Sequence, residues 1–322
     1  MYHRVAELAC DPWQLSVSPV HFDEQMQVLR KYGRPIKMKE MGKTLKRFSF
    51  GKKKIAVTFD DGYADNFHNA KPILERYNVP ATFFIVSGAI NSREEFWWDE
   101  LERIILTVKR LPEIFELSIS GKIYSWQVAQ GDREEQWRTL DYEKMMQNIP
   151  QNNARLSKIY LYCVLWQILS IMPFEERKKI LRLISAWAGQ SLTPRPNYLP
   201  MTSKELISLA NSKLLEIGAH TICHPKLSRL PREQQEKEIG QSKCDLENMI
   251  GRTITSFSYP YGIYSEDTVK FVEHLKFTNA CTTVEKPVVR GMNPFLLPRF
   301  TVLNWNGDQF EENLRKWLTP EL

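Results

Sequence analysis

Two acidic residues and two histidines are spaced so that they could do chemistry together. Val57, Thr58, Phe59, Asp60, Asp61 and Gly62 run consecutively, and His220 and His224 sit in His220-Thr221-Ile222-Cys223-His224-Pro225. Each group follows a strand-like run, residues 54–59 in one case and 215–219 in the other. One carboxylate with two imidazoles is a ligand set for a catalytic zinc that keeps a position open for water. Cobalt, nickel or iron would accept the same donors. The second carboxylate is then free to act as a base. Either motif alone is weak, because a tandem Asp often caps a helix and paired histidines are common on surfaces. A third motif, Pro260-Tyr261-Gly262, follows another β-like run, and three strand-end motifs in this order make coincidence improbable. Adjacent carboxylates on an extended segment point to opposite sides, so they divide the work. Bound zinc lowers the pKa of water from about 15.7 to about 7, within reach of an ordinary carboxylate. Backbone N–H groups near Tyr261 could complete an oxyanion site. The chemistry that results is hydrolysis of an amide or ester.

The elements that must position these groups read as repeated βα units. Strands are expected at 54–60, 81–87, 215–220, 254–259 and near 278–283, with a further extended stretch at 296–303. Helices are expected after Ser18-Pro19 as far as Gly33, at 66–77, 203–212, 232–249, 266–275 and 308–318. Such alternation argues for a parallel sheet, open or closed into a barrel, with chemistry at the strand ends. It stops between 91 and 200, an insertion within a single 1–322 domain. Six of the nine tryptophans lie there: Trp97, Trp98, Trp126, Trp137, Trp166 and Trp187. Trp97, Leu101, Ile104, Ile105 and Val108 keep helical spacing, so the insertion is expected to be mostly helical. Residues 159–169 are nearly all apolar and too short to span a bilayer. They suit a core helix first and a peripheral membrane or partner contact second.

The chain has 322 residues, 43% hydrophobic and 25% charged, as in a soluble globular protein. A net charge of +6 is far from a nucleic-acid footprint. Five scattered cysteines without CxxC spacing favour free thiols in a reducing compartment. Residues 1–15 contain Arg4, Glu7 and Asp11 and no continuous apolar core, so no signal peptide is read and the cytoplasm is the default location. Residues 1–5 read like the end of a strand, which leaves open a start upstream that carries a targeting signal.

With these motifs the sequence resembles the polysaccharide deacetylase family, the NodB-homology metal-dependent carbohydrate de-N-acetylases. The likeness covers about 48–90 and 200–303, with residues 1–33 similar to the leading segment of a branch that begins with a Tyr-His motif. It implies a distorted (β/α) barrel and release of acetate from an N-acetylated sugar of a polysaccharide or its precursor. It implies Asp60 as base, Asp61, His220 and His224 as metal ligands, and the Tyr261 N–H as an oxyanion donor. Many members carry Arg where Ser258 stands, and Arg299 is the candidate substitute that orients Asp60. Many also end with a histidine that protonates the leaving amine; no histidine follows His274 here, and in the branch that begins with a Tyr-His motif the leading histidine takes over that role, so the resemblance nominates His3. The resemblance supplies no role for the insertion. An O-acetyl esterase or other amidohydrolase on the same metal, and a non-catalytic glycan- or partner-binding protein, are the rival readings.

Overall fold

The computed structural model describes residues 1–46, 53–119, 121–130 and 149–319. Trp137 and residues 47–52 lie outside them. The chain forms two compact units, Met1–Arg93 with Leu199–Leu322, and Glu94–Tyr198. Among the described residues the strands are β1 (Arg4–Val5), β2 (Ser16–Val17), β3 (Arg34–Ile36), β4 (Lys54–Phe59), β5 (Ala81–Ile85), β6 (Ile114–Ile119), β7 (Lys122–Val128), β8 (Arg155–Leu156), β9 (Leu215–Ala219), β10 (Ser256–Ser258) and β11 (Asn279–Cys281).

In the first unit six strands pair in the order β11-β10-β9-β5-β4-β3, every pair parallel. β5 and β9 are buried along their whole length, as strands covered on both faces must be. β3 occupies only the first half of the β4 edge, pairing Arg34, Pro35 and Ile36 with Lys54, Ile55 and Ala56. The second half is taken by Tyr2, whose N–H donates to Thr58 O at 2.8 Å and whose carbonyl accepts from Asp60 N–H at 3.0 Å. Segment 297–302 completes the circuit. Thr282 N–H donates to Leu297 O at 2.8 Å, Leu297 N–H to Ala280 O at 2.9 Å, and Val302 N–H to Met1 O at 3.0 Å. The sheet therefore closes near its C-terminal ends through two irregular segments, a distorted barrel as the sequence led one to expect.

The helix Met38–Lys46 plugs the opposite end. Met38 N–H donates to Thr82 Oγ1 (3.2 Å) and Lys39 N–H to Glu216 Oε2 (3.2 Å), so a buried carboxylate meets a helix N-terminus. Outside the barrel, Pro19–Tyr32 begins where Ser18 Oγ accepts from His21 N–H and ends at Gly33. Its Phe22, Met26 and Leu29 are buried in the main core. The long helix Arg232–Ile250 ends on Gly251 in the left-handed conformation, φ 65°. The helix expected at 66–77 starts as a π-helical turn, Asn66–Ala70, before Lys71–Arg76 becomes α-helical.

The second unit packs the helices Trp97–Ile105, Lys158–Leu169 and Phe174–Trp187 with a three-stranded sheet β6-β7-β8. The sheet is an addition to the helical expectation. Its signal is the alternation of buried Phe115, Leu117 and Ile119 with exposed neighbours. Lys158–Leu169 is a core helix, with Leu161, Tyr162, Cys163, Val164, Leu165 and Leu169 fully enclosed. Trp97 and Trp98 are buried as well, Trp98 stacked on Phe96 and Trp97 tilted against Trp166. Arg195 forks onto Glu95 and Glu102 and lies over the Tyr198 ring, tying the unit's ends together. No helix among the described residues is long and apolar enough to cross a membrane.

Candidate active site

The three strand-end motifs converge at the closed end of the barrel. Asp60 and Asp61 follow β4, His220 follows β9, Ser258 ends β10, and Arg299 lies in the closing segment. Asp61 Oδ1 lies 3.6 Å from His220 Nε2 and 3.5 Å from His224 Nε2. One ligand atom from each of these residues falls within 4.8 Å of the others, and all three side chains are buried. His220 Nδ1 lies 2.7 Å from Ser258 O. A carbonyl can only accept, so Nδ1 carries the proton and Nε2 presents its lone pair toward Asp61. Burial pushes the His220 pKa down, which keeps the ring neutral as a ligand requires. A carboxylate oxygen and two neutral imidazole nitrogens in one pocket fit a divalent metal with an open position. Cys223 is not part of this cluster; its N–H donates to Glu238.

Backbone geometry around the site is unusual. Asp61, Thr221, His224 and Tyr261 all have positive φ, between 54° and 75°. Thr221 is β-branched, for which this region is a true outlier costing on the order of 1–3 kcal/mol. Its loop is held from several sides. Thr221 O accepts from Ser87 N–H (3.0 Å), its Oγ1 accepts from His224 N–H (3.0 Å), and Glu238 Oε2 accepts from Ile222 and Cys223 N–H. The two carboxylates are separated differently from the sequence expectation. The extended strand stops at Phe59, and the left-handed turn at Asp61, not strand alternation, sends the side chains apart.

Asp60 faces Arg299. Arg299 Nη1 donates to Asp60 Oδ1 and Nη2 to Oδ2, both at 2.7 Å, and Ser258 Oγ donates to Oδ2 at 3.1 Å. Arg299 is itself fixed by Nε on Thr282 O (3.0 Å), Nη2 on Ser258 Oγ (2.8 Å) and Nη1 on Thr58 Oγ1 (3.2 Å). Burial, the largest single effect, raises the Asp60 pKa, but the charge and hydrogen bonds of Arg299 and the other groups around the carboxylate together outweigh it. They hold the carboxyl well below the usual range. The carboxylate stays charged, 4.0 Å from His220 Nε2.

Two further candidates border this group. The Tyr261 ring lies 4.5 Å from that of His224, edge to face. Its left-handed turn needs Gly262, where a Cβ would meet Thr283 Oγ1 at 2.1 Å and Thr283 N at 2.8 Å. His3 follows the Tyr2 bridge to β4, and its carbonyl accepts from Asn66 Nδ2 at 2.9 Å. Burial pushes its pKa down to about 4, with Asp60 pulling the other way, so the ring shares the charge field of the site. The segment is anchored by a buried pair, Arg4 Nε to Asp65 Oδ2 at 2.9 Å.

Glu238, Thr58 and Asp65 escaped the sequence reading. Glu238 is one of many polar residues on its helix, and nothing local marks it. Because it ties down the loop between both histidines, Glu238→Ala is expected to weaken metal binding by about 10–100-fold. Titration with zinc against a competing chelator checks this, and unchanged affinity would show that the loop holds itself.

The sequence pattern of the polysaccharide deacetylase family matches residues 48–108 and 162–280. A poly-beta-1,6-N-acetyl-D-glucosamine N-deacetylase of Staphylococcus aureus is 19% identical over 303 residues, 94% of this chain and 72% of that protein. Two solved structures share the fold. The Streptococcus pyogenes deacetylase PplD, in complex with acetate, superposes with a TM-score of 0.56 at 18% identity, covering 99% of this chain and 96% of that one. IcaB from Ammonifex degensii gives 0.58 at 16% identity over 98% and 94%. With the family pattern spanning more than half its length and its three motifs meeting at one barrel end, this chain belongs to the polysaccharide deacetylase family.

Proposed function

We propose that this protein is a metal-dependent hydrolase that removes the N-acetyl group from a sugar of a polysaccharide or its precursor. The observation that carries the reading is the Asp61–His220–His224 cluster beside an ionised, arginine-held Asp60. A divalent metal, zinc foremost, bound by those three residues would supply Lewis acidity toward a water and the acetamide oxygen. Asp60 accepts the proton of the attacking water, with Arg299 and Ser258 fixing its orientation. The Tyr261 N–H donates to the oxyanion as the carbonyl carbon becomes tetrahedral. His3, neutral at rest, takes that proton from Asp60 and passes it to the departing nitrogen, so the C–N bond breaks to give acetate and a free amine. The names of the relatives support a glycan built from N-acetylglucosamine.

Metal content by elemental analysis tests the centre. Wild type is expected to hold one metal per chain, and the His220→Ala/His224→Ala variant none. Metal-free wild type after reconstitution would overturn the hydrolase and favour a glycan-binding role. Acetate release from an O-acetyl but not an N-acetyl sugar would instead make it an esterase.

A further inference from the structure

We propose that Asn66, helped by Asn69, is a positioning residue for His3. It holds the backbone beneath that imidazole so that the ring can pass its proton to the departing nitrogen. This rests on the N-deacetylase reading and on His3 as its acid. His3 stands where the chain crosses from one strand pairing to another. On one side Tyr2 bridges to β4, its carbonyl accepting from Asp60 N–H at 3.0 Å. On the other, Arg4 and Val5 pair with Ser16 and Val17 of β2. At the crossing, Asn66 Nδ2 donates to His3 O at 2.9 Å.

The rest of the same turn grips the same segment. Asp65 Oδ1 accepts from Val5 N–H and Oδ2 from Arg4 Nε, both at 2.9 Å, and Asn69 Nδ2 donates to Val5 O at 2.7 Å. Asn66 Nδ2 also donates to Asp65 Oδ1 at 3.0 Å. Both neighbours of that amide group are acceptors, so its NH2 must face them, and the buried side chain has one orientation. The turn is π-helical, with Lys71 N–H donating to Asn66 O, a rare form that gathers at functional sites. It follows the Asp60-Asp61 pair directly in the chain. One continuous stretch therefore carries the base and the groups that fix the acid. The His3 ring lies in the charge field of Asp60, Arg299 and His220. Base and acid must stay within mutual reach, since the proton moves from Asp60 to His3 and then to the nitrogen.

The test is a double-mutant cycle on acetate release from an N-acetylglucosamine oligomer by the zinc-loaded protein. His3→Ala is expected to lower kcat by about 10²–10⁴-fold, as loss of a general acid does. Asn66→Ala is expected to lower it by about 10–100-fold with KM little changed, as a small displacement of a catalytic group does. The double variant should be no slower than His3→Ala, because a residue that acts through His3 has nothing left to position. A second readout is nitrophenyl acetate, whose nitrophenolate leaves as an anion without a proton. The ratio of oligomer to ester turnover should fall in Asn66→Ala. Additive losses in the cycle, or oligomer and ester slowed alike, would mean that Asn66 only supports the fold, and overturn the proposal. Asn69→Ala, at a less buried position, covers the case in which Asn66→Ala does not fold, with the same pattern at smaller size. Full turnover of the oligomer by His3→Ala also overturns the proposal, by removing the acid. A wild type that releases no acetate from the oligomer is a different result, since it overturns the N-deacetylase reading itself and this proposal with it.

Discussion

Asp60→Asn is expected to lower kcat by about 10²–10⁴-fold, the range typical of losing a positioned general base. The metal content should stay at one per chain. Asparagine keeps an oxygen for Arg299 and Ser258 but cannot accept a proton from water. The proposed metal ligands Asp61, His220 and His224 are separate side chains, so the centre should persist. Acetate release and elemental analysis on one preparation give the answer. Loss of the metal together with activity would make Asp60 a ligand, and retained activity would place the base elsewhere.

The second large effect concerns Arg299. Arg299→Met leaves the Asp60 carboxylate buried without its guanidinium partner, at a cost of about 3–5 kcal/mol. The effect should depend on pH, and its sign follows from the direction of each shift. In wild type the folded Asp60 pKa is depressed. Its stabilisation is therefore present above the unfolded carboxylate value, about 3.9, and is lost only as pH falls through the lower folded value. Without Arg299 burial dominates and raises the folded pKa, so that stability is present at low pH and lost as pH rises through the raised value. Urea unfolding should therefore show the variant closest to wild type near pH 4 and furthest from it near pH 7. The acid limb of kcat/KM should move to higher pH in the variant. A deficit that does not change with pH would mean that Arg299 acts by packing alone.

Much of the site was legible because its motifs are local. A strand that ends in Asp60-Asp61 and a turn holding His220 and His224 are contiguous stretches, and the ligand types state their own chemistry. The helix from Pro19 was legible for a similar reason, since Ser18, Pro19 and Gly33 are signals read within one or two turns. The β6–β7 hairpin shows where reading fell short. Its alternating Phe115, Leu117 and Ile119 were present in the sequence, but the helical spacing of Trp97 to Val108 coloured the whole insertion. Arg299 was reached through resemblance, not through its neighbours in the chain, because nothing local ties residue 299 to residue 60.

The sequence by itself determined the Asp60-Asp61 and His220-to-His224 motifs, the caps and the βα alternation, because each depends on residues a few positions apart. Tertiary structure alone decided how the barrel closes, through residues 1–2 and 297–302, since those segments carry no complete strand pattern and pair only where the curved sheet brings its edges together. It also decided that Arg299 and Ser258 share the Asp60 carboxylate, that Glu238 clamps the histidine loop, and that Glu216 meets the helix that plugs the barrel. Each joins groups far apart in the chain, and a buried charge finds its partner only once the fold has excluded water from both.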